Sequence, residues 1–338
     1  MAAPITAGLM AFGMSGRVFH APFLHTSPDF RLKAVVERSQ KKANDIYPDV
    51  ISYNSVDELL ADDEIELVVV NTASYTHYEL AKQALNAGKH VLLEKPAAAT
   101  SAEVKELFDL ARQKGLHLMV YQNRRWDSGF LSVKEIVESG RLGDLIEVHF
   151  RFDRYKPVIG PKAFKEMASY PANGTAYDLG PHLIDNAIAL FGNPVSSHKT
   201  LGSYREGSQV ADYFHLHMIY PNQLNVYLTA GLLIGEALPA FVLHGKLGSF
   251  IKNRTDVQED QLIAGMMPTD EAYGIEPANS EGRLITYDEN QQKTVEYITS
   301  KKGDYRHLFE AVNNTIRNGA LFPVTEEHIT WQIEMLEQ

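Results

Sequence analysis

The chain contains no cysteine, which excludes disulfides, thiolate catalysis and cysteine zinc sites. No stretch is long and apolar enough to span a bilayer. The apolar residues Ile5 to Phe12 lack the basic flank of a leader and run straight into a glycine turn, so they read as a first strand in a cytoplasmic protein. Sustained basic runs are missing too. With 32 Lys and Arg against 43 Asp and Glu the formal charge is −11, which argues against nucleic acid and anionic membranes as partners, because neutralising phosphates takes clustered cations. A small molecule is the expected partner. At 338 residues the chain exceeds the size at which one core stops growing, and the pattern changes after Tyr121, which gives an expected division into residues 1–121 and 122–338.

What is present in the first part is an alternation of apolar runs and helical spacing. Pro4 to Phe12 reads as a strand, Val18 to Leu24 as helix and Arg31 to Val36 as strand. Short helices follow at Lys41 to Ile46 and Val56 to Ala61. The runs Glu66 to Asn71, Val91 to Leu93 and Leu116 to Tyr121 are separated by helices at Thr76 to Ala87 and Ala102 to Lys114, closed by Gly88 and Gly115. Such alternation predicts a doubly wound parallel sheet of Rossmann type, with ligands at the carboxyl ends of the strands.

Three motifs fall on that edge or beyond it. The turn Ala11-Phe12-Gly13-Met14-Ser15-Gly16 is A-x-G-x-x-G, one residue away from the dinucleotide fingerprint. Its backbone at Phe12, Gly13 and Met14 suits a pyrophosphate, and Gly16 suits close helix packing. A plain strand-to-helix turn is the other reading. Glu37, about twenty residues on, stands where a carboxylate accepts from the adenine ribose, which tilts the cofactor toward NAD. Arg38 beside it can instead embrace the 2′-phosphate of NADP. Asn71, Thr72 and His77 follow one strand end, and Glu94-Lys95-Pro96 ends the next. A residue before proline is extended, which aims Lys95 off the strand end at a ligand or at solvent. Gln122 follows the last strand.

The second part reads as a mostly antiparallel sheet, with strands at Leu145 to Phe152, Tyr213 to Tyr220, Leu224 to Leu233, Ala240 to Gly245 and Gly248 to Lys252. One face should pack on helices and the other suits an oligomer contact. Asp256 to Glu281 lacks periodicity and reads as a long loop. Helical spacing returns at Tyr305 to Arg317 and Glu326 to Glu337. Within Tyr177-Asp178-Leu179-Gly180-Pro181-His182, Pro181 suits a first helical turn and puts His182 at a helix N-terminus, where the dipole disfavours imidazolium. Asp178 can orient that ring. The alternative is a capping carboxylate beside a packed histidine. Arg124 and Trp126 either line a substrate pocket or belong to a paired cluster, and Arg125 is expected to pair with a carboxylate across the domain interface. Tyr155, just past the strand from Leu145, serves either substrate contact or structural pairing, and Tyr177 is a further candidate for substrate contact. His215 and His217 share a strand face without a third ligand, so no metal is expected.

With these residues assembled, the chain resembles the glucose-fructose oxidoreductase, inositol dehydrogenase and rhizopine-catabolism (Gfo/Idh/MocA) family. Phe19 to Phe23, Asn123 to Asp127 and Asp212 to Phe214 are similar to its branch containing scyllo-inositol dehydrogenases. The departures are Ala11 and the end at Gln338, where the family's last helix runs longer. The resemblance implies a Rossmann domain followed by an α/β domain with a large open sheet that builds homodimers or homotetramers. It implies NAD(P) as cofactor and a cyclic polyol or sugar as substrate. It further implies that Lys95 is the catalytic lysine, often preceding a cis peptide at Pro96, that His182 exchanges the hydroxyl proton and that Asp178 tunes it. Glycoside hydrolases that keep the dinucleotide bound, and non-catalytic sensors, share the fold as alternative functions.

Overall fold

The computed structural model describes residues 3–337, so the expectation attached to Gln338 lies outside the described residues. Six strands, β1 (Ile5–Leu9), β2 (Phe30–Val36), β3 (Ile51–Tyr53), β4 (Leu67–Val70), β5 (His90–Glu94) and β6 (Leu118–Tyr121), form an all-parallel sheet in the order β3-β2-β1-β4-β5-β6. This is the doubly wound order, reversing direction beside β1. β1, β4 and β6 are buried along their whole length, which is why they read as unbroken apolar runs rather than alternating ones. The helices between them carry ordinary stop and start signals. Ser101–Gln113 opens on a capping box, Thr100 with Glu103, and His77–Asn86 closes at Gly88, whose φ of +77° suits glycine.

Eight further strands form a second sheet: β7 (Leu145–Asp153), β8 (Ser196–Gly202), β9 (Tyr213–Ile219), β10 (Asn225–Gly231), β11 (Phe241–Gly245), β12 (Gly248–Lys252), β13 (Gly282–Tyr287) and β14 (Lys293–Ile298). Their order is β14-β13-β12-β11-β7-β10-β9-β8, and β7 with β10 is the parallel pair in an otherwise antiparallel ladder. Alternation puts Phe150, Phe152, Phe214, Leu216, Val226 and Leu228 inside, where the helix Gly180–Phe191 covers β10 and β7. On the other face Tyr227 stacks with His149 and His217 at ring separations of 4.9 and 4.5 Å.

The chain forms two compact units that are discontinuous in sequence. The first comprises residues 1–123, 258–273 and 304–330, the second 124–257, 274–303 and 331–338. Two segments beyond the division anticipated at residue 121 therefore return to the first unit. The reason is apolar: in the helix Arg306–Asn318, Phe309 stacks on Phe23 with ring centroids 4.9 Å apart and meets Phe30 and Tyr121 edge-on or tilted. The segment expected as a loop, Asp256 to Glu281, contains a helix at Gln258–Ile263. Buried Gln258 accepts from Tyr273 Oη (2.9 Å) and from Tyr305 N–H (2.8 Å), so a tertiary amide contact fixes it. The expected helix at Val18 to Leu24 is a π-helical turn, Gly16–His20, running into an α-helix, Ala21–Thr26.

One consequence of this packing is acid sensitivity. His90 Nδ1 accepts the His117 N–H at 3.0 Å, a bond that only the neutral ring can make. Burial, and then the neighbouring His117, push the His90 imidazole down to about 4. Below its unfolded value near 6.5 the unfolded chain binds the proton first, so stability falls as pH drops from 6.5 toward 4. Between pH 7 and pH 5 this amounts to about 1 kcal/mol after discounting for the ring's partial exposure. Urea midpoints at the two pH values should move less in His90→Asn, whose amide oxygen keeps an acceptor without titrating. An unchanged pH slope in that variant would exclude His90 as the source.

Candidate active site

The glycine turn is tied down by side chains from other strands. Asn71, just past β4, accepts the Ala11 N–H at Oδ1 (3.0 Å) and donates to the Ala11 carbonyl through Nδ2 (2.8 Å). A Cβ on Gly16 would stand 2.3 Å from that same carbonyl oxygen and 2.9 Å from Asn71 Nδ2, so the position admits only glycine. Ala11 is not at positive φ and carries its methyl group without strain, which accounts for the departure from the fingerprint. Phe12 is buried edge-on against Tyr47, and Met14 is exposed. The helix begins its own bonding at Arg17 N–H, which donates to Gly13 O (3.0 Å), so the amides of residues 13–16 precede it.

At the end of β5, Glu94 joins the turn to the lysine. Its Oε1 accepts from Ser15 Oγ (2.8 Å) and lies 2.9 Å from His20 Nε2, while Oε2 accepts the Lys95 N–H at 3.3 Å. Burial pushes the Glu94 carboxyl up, but the hydrogen bonds from His20 and Ser15 hold it below the usual carboxylate range. The Lys95–Pro96 peptide is cis. Buried His77 sits with Nδ1 2.7 Å from Pro96 O and Nε2 3.3 Å from Thr72 O. Burial drives its pKa down, so the ring is neutral and the shorter contact takes its single N–H. His77 thereby clamps the ends of β4 and β5 together. Gln122 is buried directly after β6.

Glu37 is engaged within the protein. Its carboxylate accepts from Lys42 N–H (2.8 Å), Ala43 N–H (3.2 Å) and Ser52 Oγ (2.7 Å). Arg38, next in sequence, is exposed.

In the second unit His182 is the third residue of the helix Gly180–Phe191, with Pro181 in the first turn as expected, and is 7% exposed. Asp178 ends the preceding short helix, Gly174–Asp178, which also carries Tyr177; Asp178 is exposed and Tyr177 half-buried. Phe152 lies 6.5 Å from the His182 ring. Around Phe152 gather three guanidinium groups, Arg124 at 5.4 Å, Arg154 at 4.7 Å and Arg254 at 4.0 Å. Burial, then the charges of Arg124 and Arg154, push Arg254 down to about 10 against the pull of Asp127 and Asp256. Arg124 also pairs with Asp127 at 3.2 Å. Arg125 grips Asp185 with both carboxylate oxygens, at 2.8 and 2.7 Å. Both partners belong to the second unit, so this pair braces the His182 helix from within and does not cross between domains. Trp126 is half-buried, and Tyr155 is 64% exposed beside its bridge to Leu233. Among the described residues no cluster of three or more His, Asp or Glu side chains is arranged for a metal.

Residues 5–122 match the oxidoreductase family with an NAD-binding Rossmann fold, and residues 130–251 match the GFO/IDH/MocA C-terminal domain. The chain belongs to the GFO/IDH/MocA oxidoreductase family. It is 36% identical over 333 residues to the scyllo-inositol 2-dehydrogenase (NADP(+)) IolW of Bacillus subtilis, covering 98% of this chain and 92% of that one. An uncharacterized oxidoreductase of Schizosaccharomyces pombe, C115.03, is 39% identical over 345 residues, or 96% of this chain and 94% of its own. The crystal structure of an oxidoreductase from Bacillus cereus is similar with a TM-score of 0.89 at 37% identity, over 98% of this chain and 95% of that chain.

As a GFO/IDH/MocA enzyme the chain needs a place for a nicotinamide dinucleotide, and the turn fits one. A Cβ on Gly13 would meet nothing within 4 Å, whereas one on Gly16 would strike backbone; the second glycine serves the protein's packing and the first leaves open space over the helix N-terminus. Ser15, His20 and Arg254 were not singled out from the sequence. The polar pattern around them carries no local signal, since Glu94 lies 74 residues from His20. A buried network of Lys252 with Glu276 (3.0 Å), Thr255 (3.0 Å) and the Ser280 carbonyl (2.6 Å) was likewise missed. It anchors the segment after β12.

Proposed function

We propose that the chain reversibly oxidises a secondary hydroxyl of a cyclic polyol or sugar to a ketone, the nicotinamide supplying the hydride acceptor when bound. The observation that carries this reading is the Glu94 tie. One carboxylate fastens the dinucleotide turn through Ser15 and His20 and also holds the backbone of Lys95, so the ammonium group is indexed to the cofactor's own binding loop. Phe12, Gly13, Met14, Gly16, Asn71, Thr72, His77 and Gln122 complete the dinucleotide side.

His182, near a helix N-terminus whose dipole disfavours the cation, takes the hydroxyl proton as a neutral base, and Asp178 stabilises the ring once charged. Lys95 donates to the substrate oxygen as it gains negative charge, an interaction that strengthens in the transition state. Arg124, Trp126, Tyr155 and Tyr177 contact the polyol. The name of the Bacillus relative supports an inositol as substrate. The first unit serves the dinucleotide, and the second serves substrate and assembly. A homodimer or homotetramer forms through the outer face of the β7–β14 sheet, where Val295 and Tyr297 are 44% and 71% exposed. The enzyme works in the cytoplasm, on the dinucleotide pool there.

Nicotinamide absorbance on mixing the protein with either dinucleotide and a panel of inositols and aldoses tests this reading. Reduction of the cofactor with one polyol is the expected result. Cleavage of a glycoside with no net reduction would replace the dehydrogenase by a hydrolase.

A further inference from the structure

We propose that the chain selects NADP over NAD, with Arg38 receiving the 2′-phosphate and Glu37 acting as a positioning residue that never touches the ribose. The inference rests on the dinucleotide reading above and deepens it. A carboxylate that chooses NAD has to turn at least one oxygen toward the ribose hydroxyls. Glu37 stands at the right place in sequence, directly after β2, but it is buried, with 7% of its surface exposed. Oε1 takes the Lys42 amide, and Oε2 takes both the Ala43 amide and the Ser52 hydroxyl. These donors are the opening amides of the helix Ala43–Ile46 and a side chain of β3. The carboxylate thus serves as acceptor for a helix start and closes the loop of residues 37–43 onto β3.

This arrangement changes the electrostatics of the rim. A carboxylate facing a ribose phosphate would repel it, whereas one satisfied by backbone amides and a hydroxyl has its charge compensated in place. Lys41 is spent in the same way: its ammonium donates to the carbonyls of Glu37 (2.7 Å), Ser52 (3.1 Å) and Tyr53 (3.0 Å). Arg38 is the first residue after Glu37 and is exposed, at the end of a strand whose neighbour β1 leads into the glycine turn. A guanidinium presents a planar fork of donors that matches a phosphate monoester in two parallel bonds, which an ammonium cannot do. The loop that Glu37 shapes therefore displays a phosphate receptor and hides the ribose acceptor.

Binding distinguishes the cases without any turnover. Fluorescence titration of the full chain should give NADPH a dissociation constant at least tenfold below that of NADH, and 2′-phospho-AMP should compete where AMP does not. Arg38→Ala should raise the NADPH constant tenfold or more and leave NADH within about twofold, with an unaltered melting transition showing the fold intact. Glu37→Gln should leave the preference for NADPH in place. NADH bound as tightly as NADPH, equal weakening of both by Arg38→Ala, or selective loss of NADH in Glu37→Gln would each overturn the proposal while leaving the dehydrogenase reading standing. Failure to bind either dinucleotide would overturn both.

Discussion

Lys95→Ala is expected to lower kcat by about a hundredfold or more while dinucleotide affinity stays close to that of the parent. The separation follows from the geometry. What fastens the turn is the Glu94 side chain with Ser15 and His20, and what clamps the strand end is His77 on the Pro96 carbonyl; none of these bonds is made by the Lys95 ammonium, whose charge adds to those that keep Glu94 ionised. In the proposed mechanism its ammonium acts on charge that exists only as the alkoxide forms, so its removal should register in kcat. Lys95→Arg should not rescue, because a planar fork does not replace a compact donor. His182→Ala should fall comparably and should also remove the acidic limb of the pH–rate profile that a neutral base produces. Steady-state kinetics with parallel cofactor titration checks both. Turnover within about tenfold of the parent in either variant would remove that residue from the chemistry.

Arg125→Leu should be the most damaging substitution for stability, at about 3–5 kcal/mol. Asp185 is 2% exposed, and its carboxylate is held by the Arg125 fork alone among the hydrogen bonds described for it. Without the guanidinium a charge is left buried with no counter-ion, which costs far more than the pair contributes when intact. Asp185 lies on the helix of His182, three positions on, so the same change should loosen the base and depress kcat. Replacing both residues by leucine removes the stranded charge and should recover most of the lost stability, though not the positioning of His182. Urea unfolding of the two single variants and the double variant closes the cycle. A loss under about 1 kcal/mol in Arg125→Leu would show that the pair is solvated and ordinary.

The parallel sheet was legible because strands buried on both faces are unbroken apolar runs, as in Leu67–Val70, and because glycines such as Gly88 punctuate the helices between them. The second sheet was legible at β7 and at β9 to β12, but not at β8, which is exposed or half-exposed along its whole length. β13 and β14 carry Arg283, Lys293 and Glu296 among their apolar residues, and β14 is exposed or half-exposed throughout, so no clean alternation marks them. The helix Gln258–Ile263 is held by a buried amide rather than by periodicity. Lys95, His182 and the glycine turn, the residues proposed for the site, were picked out by their motifs. Motifs could not tell where Glu37 points, since sequence position fixes a Cα and the donors of Lys42, Ala43 and Ser52 decide the rest. The partnership of His20 with Glu94 was equally invisible, being made by topology.

The path of the chain sets the order in which the molecule can be finished. The backbone passes between the two units five times, after residues 123, 257, 273, 303 and 330. All six parallel strands have left the ribosome once Tyr121 has emerged, yet the aromatic face of Phe23, Phe30 and Tyr121 waits for Phe309. At ordinary elongation rates that wait is roughly ten to forty seconds. The second unit is closed later still, when the buried Gln332 amide reaches the Pro181 carbonyl at the head of the His182 helix. The nascent protein therefore cannot mature domain by domain: the dinucleotide half is synthesised first, but its aromatic core is completed only as the helix Arg306–Asn318 arrives.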